Sequence, residues 1–160
     1  MTRVALGSNI LIYLAGLSCT AEDEAKISQT RDLVGRLSVT ASLIAPAQTL
    51  GELFVVLRRS GASAAEAREI LLEFSDAFGT SASEARTALA AADLVVDHRL
   101  QFWDALIVTG AADAGCALLL SEDMQHGFVT RGADDCQSAR REQASEVDLA
   151  HRSTAVRVAD

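Results

Sequence analysis

Apolar positions along this chain fall into short runs and helical stripes, and their alternation sets out the elements. Residues 4–6 (VAL) form a compact apolar run that breaks at Gly7-Ser8-Asn9 and resumes over 10–14 (ILIYL). That break predicts a buried strand ending at residue 6 and a short helix over 10–17. Thr20 supplies an N-cap, and Glu22, Asp23 and Glu24 an acidic first turn, for a second helix reaching about residue 37. Its apolar stripe is Ile27, Leu33, Val34 and Leu37, with Lys26, Arg31 and Arg36 outside it.

Residues 42–45 read as a second buried strand, ended by Pro46, which suits the first turn of a helix over 47–59. Leu50, Leu53, Phe54 and Leu57 form that helix's main stripe, Val55 and Val56 make the rest apolar, and Glu52 interrupts it. Ser63 caps an amphipathic helix over 64–74, with Ile70, Leu71 and Phe74 inward. Residues 79–81 fit a loop or a weak strand, and 83–97 form an Ala-rich helix. A further helix spans 102–114 and closes at Gly115; residues 117–120 are a buried strand with Ser121-Glu122-Asp123 at its carboxyl end. Strands alternating with helices predict one α/β domain, a small, mainly parallel sheet wrapped by helices.

The pattern weakens after Val129. Residues 132–146 hold almost no large apolar side chain, so the domain is expected over 1–131 and a polar, weakly ordered tail over 132–160. A change of reading frame, or a fused extraneous segment, would give the tail this look.

Composition narrows the function classes. The net charge of −8 excludes nucleic-acid binding by a broad basic face, though not an acidic site that engages phosphate through cations. Cys19, Cys116 and Cys136 have neither disulfide-framework nor zinc-ligand spacing, which fits a reducing cytoplasm. No run approaches membrane-spanning length, and no signal-peptide pattern opens the chain. His98 and His126 read as solvated loop residues, and Phe102-Trp103 as core.

Three acids stand in apolar surroundings: Glu52, Asp104 and Asp123. An unpaired buried carboxylate costs several kcal/mol, roughly, so each needs donors, a cation or a raised pKa. A shared Mg²⁺ or Mn²⁺ would satisfy all three, because hard cations take oxygen ligands. Taken singly, each acid also fits a plain role, at an exposed helix edge, in a first helical turn, or capping a turn.

In order along residues 4–128, the chain resembles the PIN-domain ribonucleases, in particular the VapC-type toxins of bacterial toxin–antitoxin modules. Gly7-Ser8-Asn9 before Ile10-Leu11-Ile12-Tyr13-Leu14 stands where the family has Asp-Ser/Thr-Asn and an aliphatic-aromatic run. Glu52 in Gln48-Thr49-Leu50-Gly51-Glu52-Leu53, Asp104 in Phe102-Trp103-Asp104-Ala105, and Ser121-Glu122-Asp123 match its later acids. The resemblance implies a PIN-like α/β/α sandwich. It also implies Mg²⁺ or Mn²⁺ on Glu52, Asp104 and Asp123, a metal-bound water that cuts an RNA phosphodiester, and support from Ser8, Asn9 and Ser121. Glu122 falls at the variable position, where it adds negative potential. The expected partners are a VapB-type antitoxin, RNA and a second copy of the chain, with no membrane.

Two departures qualify that implication. Gly7 occupies the place of the family's first acid and supplies no ligand atom, so metal affinity and cleavage should fall while the fold persists. The polar residues from 132 onward are unlike the family's short hydrophobic ending. A non-catalytic module that binds an antitoxin is therefore the alternative. A phospho-acceptor signalling domain built on Glu122 and Asp123 lacks the Lys and the mid-strand Asp that it needs.

Overall fold

The computed structural model describes residues 1–17, 21–122, 129–130 and 154–158. Elements run β1 (Thr2–Leu6), α1 (Ser8–Leu14), α2 (Ala21–Thr40), β2 (Ala41–Pro46), α3 (Ala47–Arg59), α4 (Ala64–Ala77) and β3 (Gly79–Ser81). They continue as α5 (Ala85–His98), α6 (Phe102–Asp113), β4 (Leu118–Ser121), β5 (Val129–Thr130) and β6 (Thr154–Val158). The sheet order is β3-β2-β1-β4-β6-β5, with the first four strands parallel.

Alternation along the strands divides the core in two. Val4, Leu6, Leu43, Ala45 and Leu120 point to one face, where they pack with Ile10, Leu11, Leu33, Val34, Leu53 and Leu57 from α1, α2 and α3. Ala5, Ile44 and Leu119 point to the other, against Ala91 and Leu94 of α5 and the apolar body of α6. The result is an α/β/α sandwich. α6 is buried along Ala105–Ala111, a helix apolar on all sides because it lies between the sheet and neighbouring helices.

Local signals set most boundaries. Ser63 accepts from the Glu66 amide while the Glu66 carboxylate accepts from the Ser63 amide, a reciprocal cap that starts α4. Pro46 ends β2 and stands at the N-cap of α3. Gly115 takes a left-handed φ of 66° just after α6, where a side chain would be strained. α1 starts two residues earlier than its apolar run, at Ser8, and 79–81 form a strand paired with β2.

The tail reading changes in part. Thr154–Val158 pairs antiparallel with β4, register Leu118↔Arg157 to Ser121↔Thr154, and parallel with β5. β4 would otherwise present a free edge, and the β-branched Thr154, Val156 and Val158 suit a strand there. Thr20, Asp123, His126 and the expected boundary at 131/132 lie outside the described residues.

Topology sets where a site can form. Parallel β1, β2 and β4 end at one edge of the sheet, at Leu6, Pro46 and Ser121, and α1 and α3 start directly beyond it. α6 leads back into β4, so its first turn returns to that edge.

Candidate functional site

The site grows from the β1–α1 junction. Gly7, buried and extended (φ −69°, ψ 161°), is the N-cap of α1 but has no side chain to cap it. Its amide donates instead to the Leu120 carbonyl of β4, at 2.7 Å. A Cβ on residue 7 would lie 2.8 Å from that same oxygen and 3.2 Å from the Ser121 Cβ. A side chain here would force the ends of the two strands to shift, although the φ itself suits any residue.

The next two residues belong to the first turn of α1. Ser8 Oγ donates to Glu52 Oε2, which ties α1 to α3. Asn9 Oδ1 accepts from the Ile10 amide at 2.8 Å and lies 3.3 Å from the position of a Cβ on residue 7.

Glu52 is half-buried on α3, between exposed Gly51 and buried Leu53. Its second oxygen, Oε1, accepts from Gln48 Nε2 one turn earlier, at 3.1 Å. Both carboxylate oxygens therefore have a protein donor, which offsets the cost of partial burial. Asp104 is half-buried in the first turn of α6, where the helix dipole favours a negative charge. Ser121 is buried at the end of β4, against Gly7.

Gly7, Ser8, Glu52 and Ser121 are thus brought together, while Asp104 stands in the first turn of α6, a helix that packs on α3. Among the described residues, no group of three or more His, Cys, Asp or Glu side chains gathers as a metal-ligand set. Glu52 and Asp104 have the hard oxygen donors that Mg²⁺ or Mn²⁺ prefers. Even so, position 7 is closed by a backbone carbonyl, and both Glu52 oxygens are engaged. Asp123, the third acid of the expected set, lies outside the described residues.

Glu122 has more to do than its variable position suggests. Its Oε2 accepts from Tyr13 Oη at 2.6 Å, and its Oε1 pairs with Lys26 Nζ at 2.8 Å. Lys26 also lies 5.9 Å from the Tyr13 ring centroid and 3.8 Å from Glu22. Burial by itself would raise the Glu122 pKa, but the hydrogen bonds from Lys26 and Tyr13 outweigh it and hold the group below its ordinary 4.5. Burial, then the bond to Glu122, pushes the Tyr13 hydroxyl up to about 12. Chiefly through its bond to Glu122, Lys26 is raised as well. This network fastens the end of β4 to α1 and α2 immediately before Asp123. No spacing rule links residues 13, 26 and 122, and only the fold brings them together.

The aromatic pair departs from expectation. Phe102 is 37% exposed and Trp103 59%, stacked edge to face at 5.3 Å. They begin α6 ahead of its buried stretch, so they flank the core rather than fill it. A separate cleft lined by Arg3, Ser42, Thr80, Ser81, Arg86 and Asp113 includes none of the site residues read from the sequence.

Comparison with known proteins follows the same outline. The PIN domain family profile matches residues 5–129. No curated protein matches the sequence. The chain is similar in structure to VapBC2 from Rickettsia felis bound to a DNA fragment from their promoter, at 15% identity and TM-score 0.57, covering 82% of this chain and 89% of that one. It is also similar to Mycobacterium tuberculosis VapC20, a sarcin-ricin loop cleaving toxin, at 17% identity and TM-score 0.55, covering 71% and 85%. A toxin–antitoxin complex from Klebsiella pneumoniae matches at 16% identity and TM-score 0.52, covering 84% and 91%. Identities this low establish a shared fold.

Proposed function

This chain belongs to the PIN-domain family, and on that premise we propose that it is a VapC-type toxin chain, a ribonuclease by descent, whose metal-dependent cleavage of RNA is weakened or lost at Gly7. The observation that carries the reading is the contact at that residue. Ser8 still reaches Glu52, but the first acid is absent and the Leu120 carbonyl occupies the space that its Cβ would need. Complete, the family centre would use Mg²⁺ or Mn²⁺ to activate water against a phosphodiester. In this reading Glu52, Asp104 and Asp123 are the acids that remain, joined by the sequence pattern, and no cleavage step is derived from that set.

The partner in this reading is a VapB-type antitoxin, as in the toxin–antitoxin complexes of similar fold. The net charge of −8 suits a basic antitoxin segment, since opposite fields steer and pair. Self-association and a cytoplasmic site of action complete the proposal; among the described residues, no helix is long and apolar enough to cross a membrane.

A non-catalytic module that binds the antitoxin is the second reading, favoured by Glu52 having protein donors on both oxygens. An RNA-cleavage assay in Mg²⁺ or Mn²⁺, comparing this chain with its Gly7→Asp form, separates the two. More cutting by Gly7→Asp supports a ribonuclease weakened at residue 7. Equal, substantial cutting by both refutes the role given to Gly7, and no cutting by either favours the binding module.

A further inference from the structure

The cleft between the β2–β3 end of the sheet and the start of α5 has no part in the site around Gly7. Its volume is about 480 Å³, within the range of small-molecule sites. Alternation puts Arg3 on the same face of β1 as Ala5, and Ser42 on the same face of β2 as Ile44, the face covered by α5 and α6. Ser8 and Glu52 belong to α1 and α3, which cover the other face.

Hydrogen-bonding capacity in the lining goes unused among the described residues. Ser81 Oγ is buried and has no hydrogen-bond partner, an exception that native structures rarely leave without a reason. Of the five N–H groups that a guanidinium carries, Arg3 engages one, from Nη1 to the Ala114 carbonyl at 2.7 Å. The acids of the lining are already held. Asp113 Oδ2 accepts from Thr87 Oγ1 at 2.6 Å, and Glu84 Oε2 pairs with Arg86 Nε at 3.1 Å. What the cleft still has to give is donors, on the hydroxyls of Ser42, Thr80 and Ser81 and on the two arginines.

We propose that this cleft binds a phosphoryl group, as inorganic phosphate or as the 5′-phosphate of a nucleotide. A guanidinium matches phosphate in shape and charge through parallel N–H bonds, and hydroxyls complete the shell of donors around its oxygens. Arg86 is exposed on α5, and its surface pair with Glu84 yields readily to a doubly charged ligand. A cation is the poorer occupant, since both acids are engaged and two arginines stand among them. The net charge of −8 opposes any anion, so dissociation is expected in the millimolar range, roughly. Binding here goes beyond the ribonuclease reading and stands whether or not the chain cuts RNA.

Backbone amide shifts of the full chain, followed by NMR as inorganic phosphate replaces chloride at constant pH and ionic strength without divalent metal, test it. The expected result is a saturable change centred on residues 79–87. Ser81→Ala should weaken binding by about fivefold or more, and Arg3→Gln by about tenfold or more. Because Ser81→Ala removes an unpartnered group, its urea midpoint should hold or rise, which separates lost binding from lost fold. Adenosine 5′-monophosphate and adenosine tell the sources apart. Tighter binding of the monophosphate than of inorganic phosphate assigns the cleft to a nucleotide, and equal binding assigns it to phosphate itself. Adenosine that binds as tightly as its monophosphate overturns the proposal. So do shifts no larger than chloride alone produces, or phosphate binding that Ser81→Ala and Arg3→Gln leave unchanged. Cleavage does not enter the readout, so failure of the ribonuclease reading is seen separately.

Discussion

The amide of Gly7 and the carbonyl of Leu120 lie 2.7 Å apart, and a Cβ on residue 7 would come within 2.8 Å of that same oxygen. The contact joins the ends of β1 and β4 beside the junction where Ser8 holds Glu52. The glycine that stands at the position of the expected acid is therefore also the point where two central strands pack.

Gly7→Ala isolates the packing. The added methyl must displace backbone rather than a flexible side-chain end, so the variant should lose about 1–3 kcal/mol of stability. Urea unfolding measures it, and an unchanged midpoint would show that the strands separate freely.

Glycines without close neighbours should respond in the opposite sense. Gly35 and Gly51 lie within α2 and α3, and a Cβ at either meets nothing within 4 Å. Replacing either with Ala should stabilise the chain by roughly 0.5–1 kcal/mol. The pair serves as the control for residue 7 in the same urea series.

The Tyr13–Glu122–Lys26 network predicts a pH dependence with a definite sign. The folded pKa of Glu122 lies below 4.5, so its contribution is present above that value and fades as pH falls through the folded pKa. Nearby Asp23 opposes the charge, and Glu22 shares Lys26. Tyr13 acts at the other limb: its stabilising neutral form holds below 10.0 and is lost as pH rises toward about 12. In Glu122→Gln, stability measured against pH should fall less steeply on the acid side. An identical acid limb would remove the network from the account.

Trp103 is the chain's one tryptophan, which makes its exposure directly readable. Its fluorescence should show water-exposed emission and ready quenching by iodide. Blue-shifted, protected emission in the monomer would return the residue to the core.

The strands and most helices were legible because their signals are local: the apolar run ending at Leu6, Pro46 between strand and helix, the Ser63–Glu66 cap. The motif residues were legible as a sequence pattern for the same reason, each being a short string at an element end. What escaped is tertiary. Gly7 reads as a vacancy until Leu120, distant in sequence, is seen against it, and Glu122 reads as filler until the fold brings Tyr13 and Lys26 to it. Phe102 and Trp103 looked like core because apolar content, unlike periodicity, does not say which way a helix start faces.

Mn²⁺ binding followed by electron paramagnetic resonance, on this chain beside Gly7→Asp and Gly7→Ala, reads out whether residue 7 limits the metal centre. Weak binding is expected of the chain as it stands and of Gly7→Ala, and binding tighter by about tenfold or more of Gly7→Asp, at lowered stability. Tight Mn²⁺ binding by the chain with Gly7 in place, unchanged in Gly7→Asp, would contradict it.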